Sequence, residues 1–193
     1  VNLTNLIPKH LRPLSNAEIN RAWTLVWREL DGLGFGCQRL ETCQVYLGII
    51  DTAYGYQWFG DRPEDRACGD IVLPRVALCH WLDYFKGRPK VSALDILRHE
   101  YGHAYADVNR RRIETMRFEK AFGAPHDIEY SGVFEYDPEY HITEYAATST
   151  GEDFAEIFWK FLKHKGKLPS RHHTTPIIKK WEFVEALRKE GCL

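Results

Sequence analysis

The sequence predicts an α+β fold, a small mixed β-sheet with an edge strand set over a mainly helical domain, and three observations carry that prediction. Val45, Leu47 and Ile49 alternate within a segment from Arg39 to Ile50 that is rich in β-branched and aromatic residues, as one face of a strand does. Ile71-Val72-Leu73, bounded by Gly69 and Pro74, gives a second short strand, and Pro74 places it at or near a sheet edge, where a missing N–H is tolerated. Apolar residues at helical spacing dominate most of the remaining chain.

In chain order, residues 1–14, with Pro8 and Pro13, read as an extended arm. Ser15 and Glu18 form a capping-box pattern, after which Ile19, Ala22, Trp23, Val26, Trp27 and Leu30 follow helical spacing until Gly32 and Gly34 stop it. The strand over 39–50 is followed by a loop with Gly55, Gly60 and Pro63. Beyond the strand at Ile71–Leu73, an exposed backbone edge would offer an extended peptide a place to pair. Residues 76–85 read as helical until Gly87 and Pro89 break the chain. Ser92 with Asp95 caps a central helix over 93–109. Its residues Leu94, Leu97, Tyr101, Ala104, Tyr105 and Val108 make a core stripe, and Asp95, His99, His103 and Asp107 run along another face. A helix over 113–122 stops at Gly123. Residues 123–150, interrupted by Pro125, Gly132 and Pro138, form a connection of a length that is often functional. A helix over 152–165 presents Phe154, Ile157, Phe158, Phe161 and Leu162 to the core, and a terminal amphipathic helix spans 176–190. Together these make a single domain over 1–193, with the sheet in an upper part of about 1–110 and a helical lower part of about 111–193.

Composition narrows the class. A chain of 193 residues that is 44% hydrophobic buries a full core, and a net charge of −1 gives no basic footprint for nucleic acid. No apolar run approaches the roughly 20 residues that span a bilayer. The five cysteines, Cys37, Cys43, Cys68, Cys79 and Cys192, are odd in number and contain no CxxC pair, so free thiols in a reducing compartment are expected. No signal-peptide pattern follows Val1, which makes a cytoplasmic location the expectation, with a removed leader left open. Between Lys120 and Lys160 there is no Lys or Arg, while carboxylates accumulate. Part of that charge can balance a divalent cation, and the rest favours a basic substrate.

The chemistry centres on His99-Glu100-Tyr101-Gly102-His103, an HExxH pattern inside the central helix. Histidines four apart lie on one helix face about 6 Å apart along the axis, close enough for both imidazoles to reach one metal ion. Glu100, rotated by about 100°, stands beside the metal as a base for its bound water. A catalytic zinc needs a third protein ligand. Asp107 continues the histidine spacing but lies about 12 Å from His99 along a straight helix, too far to share the ion. Ala106 and Asn109 stand where an extended HExxHxxGxxH motif needs glycine and histidine, so that branch is excluded. Glu152 and Glu156 are again four apart on one helix face. Either can bind the metal while the other accepts the free ring N–H of a ligating histidine.

HExxH followed at a distance by an ExxxE helix resembles the gluzincin metallopeptidases. The string from Tyr145 to Glu156 resembles more specifically the catalytic segment of the anthrax lethal factor and Pro-Pro endopeptidase family, and of bacterial zinc-binding metallopeptidases. Over about residues 95–162 the resemblance implies a zincin-like domain with one catalytic Zn2+. In that pattern Glu152 is the third ligand beside His99 and His103, Glu156 stands behind it, and Tyr145 assists catalysis. It implies a zinc-dependent endopeptidase that cleaves a peptide or protein substrate. Glu100 would take the proton of the zinc-bound water and pass it to the leaving amine, and Tyr145 would hydrogen-bond the oxyanion. His141, four positions before Tyr145, is a second candidate for that task. Glu152, Ala155 and Phe158 also resemble the corresponding helix of repressor-cleaving regulatory metallopeptidases. A third reading, an inactive zinc-binding regulatory domain, would need the ligands but not Glu100. His172-His173 and Arg110-Arg111-Arg112 are expected to be solvated surface features.

Overall fold

The computed structural model describes residues 12–51, 54–57, 68–78, 85–86, 91–126, 128 and 135–191. Most of the expected arm over 1–14, the loop positions Gly60 and Pro63, and residues 79–84 of the expected helix lie outside the described residues. Helix α1 (Asn16–Leu33) starts where Ser15 and Glu18 close both halves of their capping box, and it ends at Gly34, whose φ of 79° suits a residue without a Cβ. Its buried stripe is Ile19, Ala22, Val26 and Leu30, as the spacing predicts, but Trp23 and Trp27 lie beside the stripe. The expected strand over 39–50 divides. A short helix α2 (Gln38–Glu41) buries Leu40, and strand β1 (Val45–Asp51) follows.

The sheet is mixed, with β1, β2 (Gly55–Gln57) and β3 (Asp70–Ala77) in the order β1-β3-β2. β1 and β3 run parallel, with Val45 opposite Ile71 and Asp51 opposite Ala77; β2 and β3 run antiparallel, with Gly55 opposite Val72 and Gln57 opposite Asp70. Ile71–Leu73 therefore belongs to the central strand, which corrects its expected place at the edge. Pro74 is tolerated because the pairing with β2 stops at Val72, leaving the β2-facing side of β3 unpaired beyond that point among the described residues. Val76 and Ala77, expected as the start of a helix, pair with Ile50 and Asp51 instead. Strand β2 falls where a loop was expected.

The helical part comprises α3 (Ala93–Val108), a single turn α4 (Arg110–Ile113), α5 (Met116–Phe122), α6 (Thr150–Lys163) and α7 (Thr175–Glu190), with 3₁₀ turns at Tyr145–Ala147 and Ser170–His172. Ser92 caps α3 by accepting the Asp95 N–H, and Thr115 and Ser149 do the same for α5 and α6. Helix α3 is buried from Ile96 through Gly102 and again from Ala104 through Val108, so its polar face is as enclosed as its apolar one. One hydrophobic cluster runs from α1 through α3 and α6 to α7. Phe35 stands edge-on to Tyr105, Phe158 and Phe161 at 4.9–5.8 Å, tying the exit of α1 to both central helices. Each such ring removed from water contributes roughly 1.5–3 kcal/mol.

Cys43 and Cys68 are buried thiols outside any disulfide, whereas Cys37 is disulfide-bonded. The expectation of free thiols holds for the first two and fails for Cys37. Disulfides persist in oxidising compartments, so this bond weighs against the cytoplasmic expectation. Among the described residues no helix is long and apolar enough to cross a membrane.

Candidate metal centre

Helix α3 is gripped on two sides. From α1, the indole N–H groups of Trp23 and Trp27 both donate to the Tyr101 hydroxyl, at 3.0 and 3.1 Å, and Arg98 makes a forked pair with Glu29 at 2.8 and 2.6 Å. From α6, Trp159 and Lys163 donate to the two oxygens of Asp95 at 3.0 and 2.8 Å. Gly102 sets how closely the two helices cross. A Cβ there would stand 3.0 Å from the Ala155 Cα and 3.3 Å from its Cβ, so the crossing requires a bare backbone at 102. The glycine inside the HExxH segment is thus a packing residue, and it brings α6 down onto the histidine face.

At that crossing His99, His103 and Glu152 form a group that can hold a metal ion. His99 Nε2 lies 3.2 Å from His103 Nε2 and 3.0 Å from Glu152 Oε2, and His103 Nε2 lies 3.3 Å from the same oxygen. Glu152 Oε2 is buried, yet it accepts no hydrogen bond of proper direction from either ring. Burial alone would raise the Glu152 carboxyl pKa, but the two imidazoles outweigh it and hold the group well below the usual carboxylate range. Burial likewise disfavours a charged His99, and there Glu152 and Glu156 outweigh it and push the ring up to about 10.

The supporting shell is complete on the His99 side. Glu156 Oε1 lies 2.8 Å from His99 Nδ1, which makes that nitrogen the donor and leaves the Nε2 lone pair facing Glu152 and His103. The other Glu156 oxygen accepts from the Thr143 hydroxyl at 2.8 Å, and Thr143 Oγ1 in turn accepts the Ala146 N–H at 3.1 Å. Ser149 shows what Glu152 forgoes. Ser15/Glu18 and Ser149/Glu152 share one spacing, but only the first pair closes both halves of the box. Ser149 Oγ still accepts the Glu152 N–H at 3.1 Å, while the Glu152 carboxylate turns away from the helix terminus toward the histidines.

Glu100 is buried beside the group, and burial is the main cause that raises its carboxyl pKa. The backbone N–H of Tyr56 in β2 lies near enough to oppose that rise slightly. The Tyr56 hydroxyl donates to Asp107 and accepts the Gly69 N–H at 2.6 Å, so one residue ties strand β2 both to α3 and to the chain entering β3. Asp107 is no ligand, in agreement with the helix geometry; it anchors Tyr56 and pairs with Arg110 Nε at 3.0 Å. Tyr145, half exposed in its 3₁₀ turn, lies with its ring centre 5.6 Å from that of His99. Burial, followed by the nearby Glu152 and Glu100 charges, raises the pKa of its hydroxyl.

The fold thus gathers His99, Glu100, His103, Tyr145, Glu152 and Glu156. His141 stands apart from them: its neighbours are Lys180, which together with burial lowers its pKa, and Asp137. The expectation of purely solvated arginines fails for Arg110, paired with Asp107, and for Arg112, which donates to the carbonyls of Glu190 and Gly191 at the end of α7. Among the described residues His172 and His173 make local contacts, to Arg171 and to the Leu168 carbonyl. Thr143, Ser149 and Tyr56 were not singled out from sequence, although the repeated Ser-x-x-Glu spacing was a signal for Ser149. No protein-family model, curated protein or solved structure matches the chain.

Proposed function

We propose that this protein is a zinc-dependent endopeptidase with a zincin-like site, hydrolysing a peptide bond of a protein substrate. The observation that carries the reading is the triangle of donors. Three ligands bound to zinc at roughly 2.0–2.1 Å in a tetrahedron stand about 3.3 Å apart, and the three donor atoms lie 3.2, 3.0 and 3.3 Å from one another. Two imidazole nitrogens and a carboxylate oxygen also make a donor set typical of catalytic zinc. When bound, zinc supplies Lewis acidity that lowers the pKa of water and polarises a carbonyl.

The remaining chemistry falls to the chain's own residues. Glu100 takes a proton from the attacking water, a role helped by the burial that raises its basicity, and returns it to the leaving nitrogen. Tyr145 donates a hydrogen bond to the oxygen of the tetrahedral intermediate, from a hydroxyl that stays protonated because burial and the adjacent carboxylates oppose its ionisation. Glu156 holds His99 in one tautomer. In this reading β2, at the sheet edge among the described residues and near Glu100, serves as the peptide platform in place of Ile71–Leu73. An inactive zinc-binding domain has no use for a buried carboxylate beside the ligands, and Glu100 speaks against it. The test compares the wild type with Glu100→Gln. The reading expects equal zinc content and at least about a hundredfold lower peptide hydrolysis in the variant. Equal hydrolysis by both would refute it.

A further inference from the structure

A cavity of about 320 Å³ opens beside the candidate metal centre, with His103 in its wall. An occupant of that cavity lies next to the ligand group, and the volume is at the small end for ligand sites, suited to one side chain. Its apolar lining comes from Ala106 and Ile113, both fully buried, and from the Tyr56 ring, and the His126 imidazole also stands in the wall. Two of its charges are spent on each other, since Arg110 Nε donates to Asp107, whose second oxygen accepts from Tyr56. Glu114 is different. It is exposed in the link between α4 and α5, and its carboxylate forms no ion pair among the described residues.

We propose that this cavity is a side-chain pocket of the peptide-binding cleft and that it selects lysine or arginine at a position flanking the cleaved bond; the inference rests on the endopeptidase reading above. Lysine and arginine combine an apolar stem with a cationic head. The stem lies along Ala106 and Ile113, and the head reaches Glu114 at the mouth. An acidic side chain would meet Glu114 with like charge. A purely aliphatic one would fill the stem region and cover the Glu114 carboxylate without compensating it. The exposed carboxylates of Glu135, Asp137 and Glu139, on the segment that leads to Tyr145, add a field of the same sign.

The experiment digests a mixed peptide library with the zinc-loaded wild-type protein and reads the cleavage sites by mass spectrometry. Lysine and arginine are expected at one position flanking the cut, favoured roughly tenfold or more over leucine and glutamate. In Glu114→Gln that ratio falls toward unity, and in Glu114→Lys it inverts in favour of glutamate. Cleavage with no preference for a basic residue at either flanking position overturns the pocket's assignment, as does a preference that survives Glu114→Lys. These results leave the endopeptidase reading standing. Absence of cleavage anywhere in the library, with one zinc bound per chain, overturns that reading, and the pocket's assignment falls with it.

Discussion

His99 uses both ring nitrogens, and the use of one dictates the use of the other. Because Nδ1 faces the Glu156 carboxylate, Nε2 presents its lone pair to the crossing point, and Thr143 keeps Glu156 from turning away. Glu156→Gln keeps the shape but removes the acceptor's charge, and it is expected to weaken zinc binding by roughly 10–100-fold in a competition titration against a chelator. An unchanged affinity would mean that Glu156 merely fills space. At this scale the sequence was most readable where the geometry is local. His99, Glu100 and His103 follow from the helical period alone. Glu152 and Glu156 could be paired by the same period, but their division of labour came from a resemblance. What separates them physically is which carboxylate α6 carries over the histidine pair, and spacing within α6 does not encode that.

Two of the contacts between α3 and α6 make separable predictions. At Gly102 the obstacle to a side chain is the Ala155 backbone, which has no rotamer by which to retreat. Gly102→Ala is therefore expected to destabilise the fold by about 1–3 kcal/mol in urea melts and to weaken zinc binding as well, because the helices must part. A variant with unchanged stability and affinity would contradict the tight crossing. Asp95 is the second tie. Burial alone would raise its carboxyl pKa, but Lys163, Trp159 and Arg98 outweigh it and hold the group below its ordinary value. A carboxylate depressed in the folded state stabilises the protein above its unfolded pKa of about 3.9, and that contribution is lost as the pH falls through the folded value. Chemical melts from pH 7 down to acid should thus show a loss of stability below about pH 4 that is shallower in Asp95→Asn. Identical acid limbs in the two proteins would remove Asp95 from the account. Elements were read less surely than residues. Three-residue β2 is too short for its alternation to register, and Val76 and Ala77 look helical until their partners in β1 are known. Strand identity there is set by pairing across the chain, which no local window contains.

Across the whole molecule, the HExxH helix is central because two layers enclose it. Helix α1 covers its apolar stripe through Tyr101 and Arg98, and α6 covers the polar face that the sequence sets apart from the core. The α+β class and the order of the long helices were legible from apolar periodicity, whereas the burial of His99 and Asp107 was not, because their cover comes from distant segments. The same topology would make a metal held there a long-range tie, since His99 and His103 lie on one helix and Glu152 on another, separated by the whole of residues 109–149. A ligand that binds only the folded state at 1,000 times its Kd adds about 4 kcal/mol, so zinc is expected to raise the melting temperature of this chain measurably. The most direct test is the zinc content of the purified protein after dialysis, measured beside that of Glu152→Ala. The account predicts one zinc per wild-type chain and almost none in the variant, with the melting temperature falling accordingly. A wild type without zinc, or a Glu152→Ala protein that retains it in full, would contradict the two-helix site.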